Sequence, residues 1–262
     1  MARFCPLFSG SSGNSIFLGT SESGVLVDVG MNAKQTTLAL ERVGIDPYSV
    51  KAIFITHEHS DHISGLRVFA SKYGTQVYTS RGTLDALEEM GMINGKFFAG
   101  EVASGVEVDG MRITSFRTSH DSRESVGYVI TLPDGRKAAV VTDLGVMTEE
   151  VMSAISGCDL VLIESNHDVN MLQNGAYPYY LKRRILSDTG HLSNDSCAVA
   201  ISELLKTGTT RFFLGHLSRE NNIPELAYQN TYSVLTQCGA VEGEDFLLSV
   251  APRCNSDKIT IF

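Results

Sequence analysis

Residues 56–62 read Thr-His-Glu-His-Ser-Asp-His and follow directly on the apolar run Ala52-Ile53-Phe54-Ile55. A short β-branched and aromatic run that stops at a cluster of polar side chains is the signature of a buried strand feeding a loop. Side chains alternate along such a segment, so His57 and His59 point one way and can grip one ion, while Asp61 and His62 turn toward a second. His62 is followed by Ile63-Ser64-Gly65-Leu66, which reads as the first turn of a helix. A chain built this way must be an α/β protein whose site lies beyond the carboxyl end of a strand. The other four histidines fit the same rule. His120 follows the run ending at Ser119, His167 follows Asp159–Ile163 together with Glu164, His191 lies in Thr189-Gly190-His191-Leu192-Ser193, and His216 follows Arg211–Leu214. Asp28 and Asp143 also end apolar runs. All seven histidines are therefore expected at strand ends or in loops, none inside a helical apolar face.

Imidazole and carboxylate donors in this pattern suit Zn²⁺, Mn²⁺, Fe or Ni²⁺, since such ligands discriminate poorly among these metals. The rest of the composition is that of an ordinary globular enzyme: 43% hydrophobic and 19% charged over 262 residues. No apolar run approaches the ~18–20 residues needed to cross a bilayer. The amino-terminal segment has too short an apolar stretch for a signal peptide, so a cytoplasmic protein with no membrane partner is expected. Five cysteines, an odd number with no CxxC pair, suit reduced thiols. A net charge of −9 would repel nucleic acid in bulk, so any phosphate recognition must come from bound metal and local basic residues. Lys182-Arg183-Arg184 is the only dense basic cluster, and a solvated helix face is its plainer reading. The oligomeric state is open, a homo-oligomer included.

No repeat, low-complexity segment or linker interrupts the chain, which predicts one domain over residues 1–262. Strands are predicted at 3–8, 15–19, 24–28, 51–56, 76–79, 112–118, 126–132, 137–142, 159–163, 210–214, 245–250 and 258–262. Helices are predicted at 33–43, 62–73, 80–89, 148–155, 176–187, 194–206 and 223–237. Hairpin turns such as Leu132-Pro133-Asp134-Gly135-Arg136 alternate with helical crossovers, so the expectation is two mixed sheets, one from each half of the chain, with helices outside.

The ordered set His57-x-His59-x-Asp61-His62, then His120, Asp143 and His216, resembles the motifs of the metallo-β-lactamase superfamily across nearly the whole chain. That resemblance implies an α/β fold, a four-layer αββα sandwich of two mixed sheets, with a site for two divalent transition-metal ions. It assigns His57, His59 and His120 to one ion, Asp61, His62 and His216 to the other, and Asp143 to both. Further segments, namely Phe8-Ser9-Gly10-Ser11-Ser12-Gly13-Asn14-Ser15, Ser119-His120-Asp121, Glu164-Ser165-Asn166-His167-Asp168 and the two Gly-His-Leu-Ser copies at 190–193 and 215–218, resemble the WalJ/YycJ family of metal-dependent 5′-to-3′ exonucleases on double-stranded DNA. The expected function is therefore a phosphodiesterase using a metal-bridging hydroxide, with double-stranded DNA as substrate.

Three residues are expected to carry the chemistry. Asp61 would orient the nucleophile, and His191 would assist the leaving oxygen, with Glu164 orienting it as an acid–base pair. Asp28 is expected to hold a ligand histidine by its far nitrogen. His167 would support a ligand or meet a substrate phosphate. Ser11, in the Ser9–Ser15 loop, and Arg219 are candidate substrate contacts. The alternatives are a hydrolase of a small substrate, whether a cyclic phosphate or a thioester, and a non-catalytic regulatory partner.

Overall fold

The computed structural model describes residues 1–255 and 258–262. These residues form strands β1 (Arg3–Phe8), β2 (Ser15–Gly19), β3 (Gly24–Val27), β4 (Val50–Phe54), β5 (Gln76–Thr79), β6 (Ala99–Glu101), β7 (Val106–Val108), β8 (Met111–Arg117), β9 (Val126–Thr131), β10 (Lys137–Val141), β11 (Leu160–Glu164), β12 (Arg211–Gly215), β13 (Leu247–Val250) and β14 (Thr260–Ile261). The helices are α1 (Ala33–Arg42), α2 (Ser60–Ile63), α3 (Leu66–Tyr73), α4 (Arg81–Glu89), α5 (Glu149–Ile155), α6 (Val169–Asn174), α7 (Tyr179–Ile185), α8 (Asn194–Lys206) and α9 (Pro224–Gln237). Hydrogen bonding orders the described strands into two mixed sheets, β14-β1-β2-β3-β4-β5-β6 and β13-β12-β11-β10-β9-β8-β7. By contacts the chain divides into two compact units, Met1–Ser115 with Ser122–Arg136 and Pro252–Phe262, and Phe116–Asp121 with Lys137–Ala251.

In the first unit, β1 is antiparallel to β2 and β14, β2 is antiparallel to β3, and β3 through β6 run parallel. Every residue of β2 and β3 is buried, as is β4 except Lys51, so these strands read as continuous apolar runs rather than alternating ones. Leu7, Phe17, Leu26, Ile53, Leu66 and Phe69 belong to one core cluster that joins the sheet to its helices. In the second unit, β10, β11, β12 and β13 are parallel in register, with Val141 opposite Ile163 and Ile163 opposite Leu214. That register aligns the carboxyl ends of three strands, the place where parallel sheets gather functional groups.

All twelve predicted strands are present with ends within two residues of those expected. β6 and β7 were not expected, because three residues give no readable period. The division by halves is not exact: β7, β8 and β9, from residues 106–131, belong to the second sheet, and the carboxyl-terminal β14 pairs with β1 in the first. The helix expected at 62–73 is broken into α2 and α3. The Gly65 N–H donates to Val29 O (2.9 Å), and Asp61 O, its helical partner, instead accepts from Asn14 N (2.8 Å). His62 consequently lies inside the one-turn α2, where a helix was expected to begin. The helix expected at 176–187 begins only after Pro178, its N-cap, because the residue before a proline is pushed out of the helical region. α6 went unpredicted; it is six residues long and is capped by Asp168, whose side chain accepts from Met171 N (2.7 Å). The five cysteines form no disulfide, and no helix among the described residues is long and apolar enough to cross a membrane.

Candidate metal centre

The first unit presents His57, His59, Asp61 and His62 immediately beyond β4. His57 and His62 are fully buried, while His59 and Asp61 are half-buried. The His57 ring lies 4.5 Å from that of His59 and 4.1 Å from that of His62, centroid to centroid. Asp28 fixes two of these rings. Its carboxylate accepts from Thr56 N (2.8 Å), from Thr56 Oγ1 (2.9 Å) and from His62 Nδ1 (2.8 Å). The Thr56 hydroxyl, having given its proton to Asp28, can accept from His57 Nδ1 at 3.1 Å. Both imidazoles therefore carry their proton on Nδ1 and expose an Nε2 lone pair, the orientation a metal ligand requires. Burial pushes the Asp28 carboxyl above its usual range, and the His62 and Thr56 contacts pull it back.

The Ser9–Ser15 loop packs on this cluster from below. Asn14 Nδ2 stands 3.2 Å from His62 Nε2, and Gly30 N donates to Asn14 O (2.8 Å). A Cβ at Gly30 would lie 1.7 Å from Asp61 O, so only glycine permits this approach. Ser11 is exposed at the tip of the turn closed by Gly13 N donating to Gly10 O (3.0 Å).

In the second unit, donor atoms of Asp143, Glu164, His191 and His216 all lie within 4.8 Å of one another. Glu164 is the hub. Its Oε1 accepts from His216 Nδ1 (2.7 Å) and His191 Nδ1 (2.9 Å), and its Oε2 from Leu144 N (3.1 Å) and Leu192 N (3.0 Å). Burial alone would raise this carboxyl, but the His191 and His216 rings outweigh it and hold the pKa at about 2. Glu164 thus engages both rings at Nδ1 and leaves their Nε2 atoms on the far side. Asp143 Oδ1 is 3.3 Å from His216 Nδ1 and 3.8 Å from His120 Nε2. His120 is oriented in the same way, its Nδ1 donating to Gly190 O (3.0 Å). Burial lowers the His120 pKa against the opposing charge of Asp143, which favours the neutral, ligating form.

His167 is buried and neither ring nitrogen meets a hydrogen-bond partner. Burial drives its pKa down to about 4 despite the charge of Glu164. Arg219 is exposed, three residues beyond His216. Sequence reasoning missed Thr56 as a relay and Asn14 as a support. It also missed an amide network in which Asn222 Nδ2 donates to Ser165 O (2.9 Å), Asn166 O (3.0 Å) and Asn194 Oδ1 (2.9 Å), while Asn166 Nδ2 donates to His216 O (2.9 Å). The only available signal was the run of Asn and Ser in Glu164-Ser165-Asn166-His167 and Ser193-Asn194.

Residues 24–217 match the β-lactamase superfamily domain. The chain is 39% identical over 249 residues to exodeoxyribonuclease YycJ of Bacillus anthracis, covering 93% of each. It is equally 39% identical over 251 residues to exodeoxyribonuclease WalJ of Streptococcus pneumoniae, covering 93% of this chain and 92% of that one. The chain belongs to the WalJ/YycJ family. Among solved structures it is similar to the metallo-β-lactamase fold protein YhfI of Bacillus subtilis, with a TM-score of 0.74 at 14% identity over all of both chains. WalJ/YycJ membership and that likeness place the two mixed sheets and their flanking helices in the metallo-β-lactamase fold, and the chain among metal-dependent hydrolases.

Proposed function

We propose that the protein is an exonuclease that hydrolyses double-stranded DNA from 5′ to 3′ with two divalent transition-metal ions. The observation that carries this reading is the relatedness to exodeoxyribonucleases along 93% of the chain, joined to five imidazoles, those of His57, His62, His120, His191 and His216, each hydrogen-bonded at Nδ1. The donor set fits such ions: neutral imidazole Nε2 atoms and carboxylates, buried and pre-aimed. In this reading His57, His59 and His120 hold one ion, Asp61, His62 and His216 the other, and Asp143 both. Residues 1–262 then act as one functional domain.

When bound, the ions would acidify water and neutralise charge on the phosphodiester. The remaining work falls to side chains. Asp61, half-buried and with Oδ2 3.6 Å from His62 Nε2, orients the attacking water. His191, held on Nδ1 by Glu164, would give up its Nε2 proton to the leaving oxygen when the ring is protonated on both nitrogens, returning to the neutral ring held on Nδ1. The hydrogen bond to Glu164 keeps that ring from turning over. His167, with no partner for either nitrogen, supports the floor of the site or meets a phosphate, and exposed Ser11 and Arg219 contact the substrate backbone.

The test is nucleotide release from end-labelled duplex DNA by metal-loaded protein. His57→Ala is expected to abolish release and lower metal content. His191→Ala is expected to keep its metal and lose roughly 10²–10⁴-fold in rate, the usual contribution of a general acid. Full activity in His57→Ala would refute the metal assignment, and loss of metal in His191→Ala would make that residue a ligand. Turnover of a thioester or cyclic phosphate in preference to DNA would overturn the substrate class.

A further inference from the structure

Tyr179 and Tyr180 open α7 with 76% and 75% of their surface exposed, in a chain that buries Tyr128 and most of its phenylalanines. Three cations follow within four residues, Lys182, Arg183 and Arg184, although the chain as a whole carries a net charge of −9. Helical spacing places Tyr179 with Lys182 and Arg183 on one face, and Tyr180 with Arg183 and Arg184 beside it. The Arg183 guanidinium lies over the Tyr179 ring, 6.0 Å from its centroid, and Lys182 Nζ donates to Gln173 O (2.8 Å). The first contact sets a cation beside an exposed ring.

This helix is fastened to the loop that carries His120. Arg184 grips Asp121 through both carboxylate oxygens (2.5 and 2.7 Å). Just beyond α7, Ser119 Oγ donates to Asp188 O (2.6 Å), Asp121 N to Thr189 O (3.2 Å) and His120 Nδ1 to Gly190 O (3.0 Å). Whatever rests on α7 is therefore held by the same set of bonds that fixes His120.

We propose that α7 is a docking platform for a single-stranded segment of DNA at the end of the substrate, with bases stacked on Tyr179 and Tyr180 and phosphates on Arg183 and Lys182. Exposed aromatic faces interleaved with cations are what unpaired nucleotides bind. Bases inside a duplex have no free face to offer, so the segment must be unpaired, as at a frayed or tailed end. The inference rests on the reading of this protein as a DNA exonuclease and names the element that would receive the strand.

The experiment measures binding of fluorescein-labelled duplexes, blunt or with a single-stranded tail, by anisotropy in chelator over a range of salt. Wild-type protein is expected to prefer the tailed duplex. Tyr179→Ala/Tyr180→Ala is expected to weaken binding to the tailed duplex by at least about tenfold and erase the preference, since each stacked base contributes severalfold or more. Tyr179→Phe/Tyr180→Phe keeps the rings and is expected to restore binding. Arg183→Ala is expected to flatten the log–log salt slope by about 0.7, the share of one single-strand phosphate contact. Wild-type protein that binds and degrades DNA while the alanine variants bind the tailed duplex equally well would overturn the platform and leave the exonuclease reading standing. Wild-type protein that neither binds nor degrades DNA would overturn both. A Phe variant as weak as the Ala variant would also overturn the stacking role, as would a change in sedimentation with unaltered DNA binding, which would mark α7 as a contact between copies of the chain.

Discussion

Asp28, Asp143 and His216 share a backbone conformation that few side chains adopt: φ is 63°, 58° and 53°. Each follows the last residues of a buried strand, and left-handed geometry at a non-glycine residue costs on the order of 1–3 kcal/mol, least for Asp. The turn re-aims the side chain sideways at the strand end, which a straight continuation could not do. His167 shows the other way a residue departs from its ordinary chemistry here. Its pKa is about 4 in the folded protein, against 6.5 for an unburied ring, with Glu164, His191, Asp168 and Asp195 as the charges around it. Between those values the unfolded chain binds more protons than the folded one, so stability falls as pH drops from 6.5 toward 4. Urea unfolding in chelator at pH 7 and pH 5 is expected to show a loss of ~2 kcal/mol that His167→Gln lacks. An identical pH dependence in the variant would mean that the ring titrates normally.

Among elements, the strand ends are ordered by what crosses between them. The loop at 57–62 is seated by the Asn14 and Gly30 contacts, and the absence of a side chain at Gly30 is a condition of that seating. Gly30→Ala would place a Cβ 2.5 Å from Asn14 N as well as against Asp61 O. It is expected to lower the unfolding free energy by ~3 kcal/mol, the upper range for overpacking, and to reduce metal content by displacing His62. Gly44→Ala is the contrast, because nothing lies within 4 Å of its Cβ position and only its φ of 72° is strained; a loss of about 1 kcal/mol is expected there. Equal effects in thermal melts of the two variants would argue that Gly30 is not sterically required. Elements were the level at which the sequence was least complete. β6, β7 and α6 are too short for periodicity to register, and the break between α2 and α3 depends on Val29, a residue 36 positions before Gly65.

At the scale of the molecule, metal binding and folding are linked, because the aligned donors exist only in the folded chain. Mn²⁺ or Zn²⁺ at about 100 times its dissociation constant is expected to stabilise the protein by about 2.7 kcal/mol, and EDTA to remove that increment, both read from melting temperature. A melting temperature indifferent to metal and chelator would argue against a metal cage. The candidate residues were legible locally: histidines and aspartates at the ends of apolar runs announce themselves, since strand period and residue type suffice to place each at the end of its own strand. What the sequence by itself determined is therefore the list of candidate residues and the strand ends that carry them. Which nitrogen of each ring faces outward was decided only by tertiary structure. His62 is set by Asp28, 34 residues away, and His216 by Glu164, 52 residues away. A hydrogen bond between such distant positions leaves no period in the chain, yet it is the proton fixed on Nδ1 that turns an imidazole into a ligand.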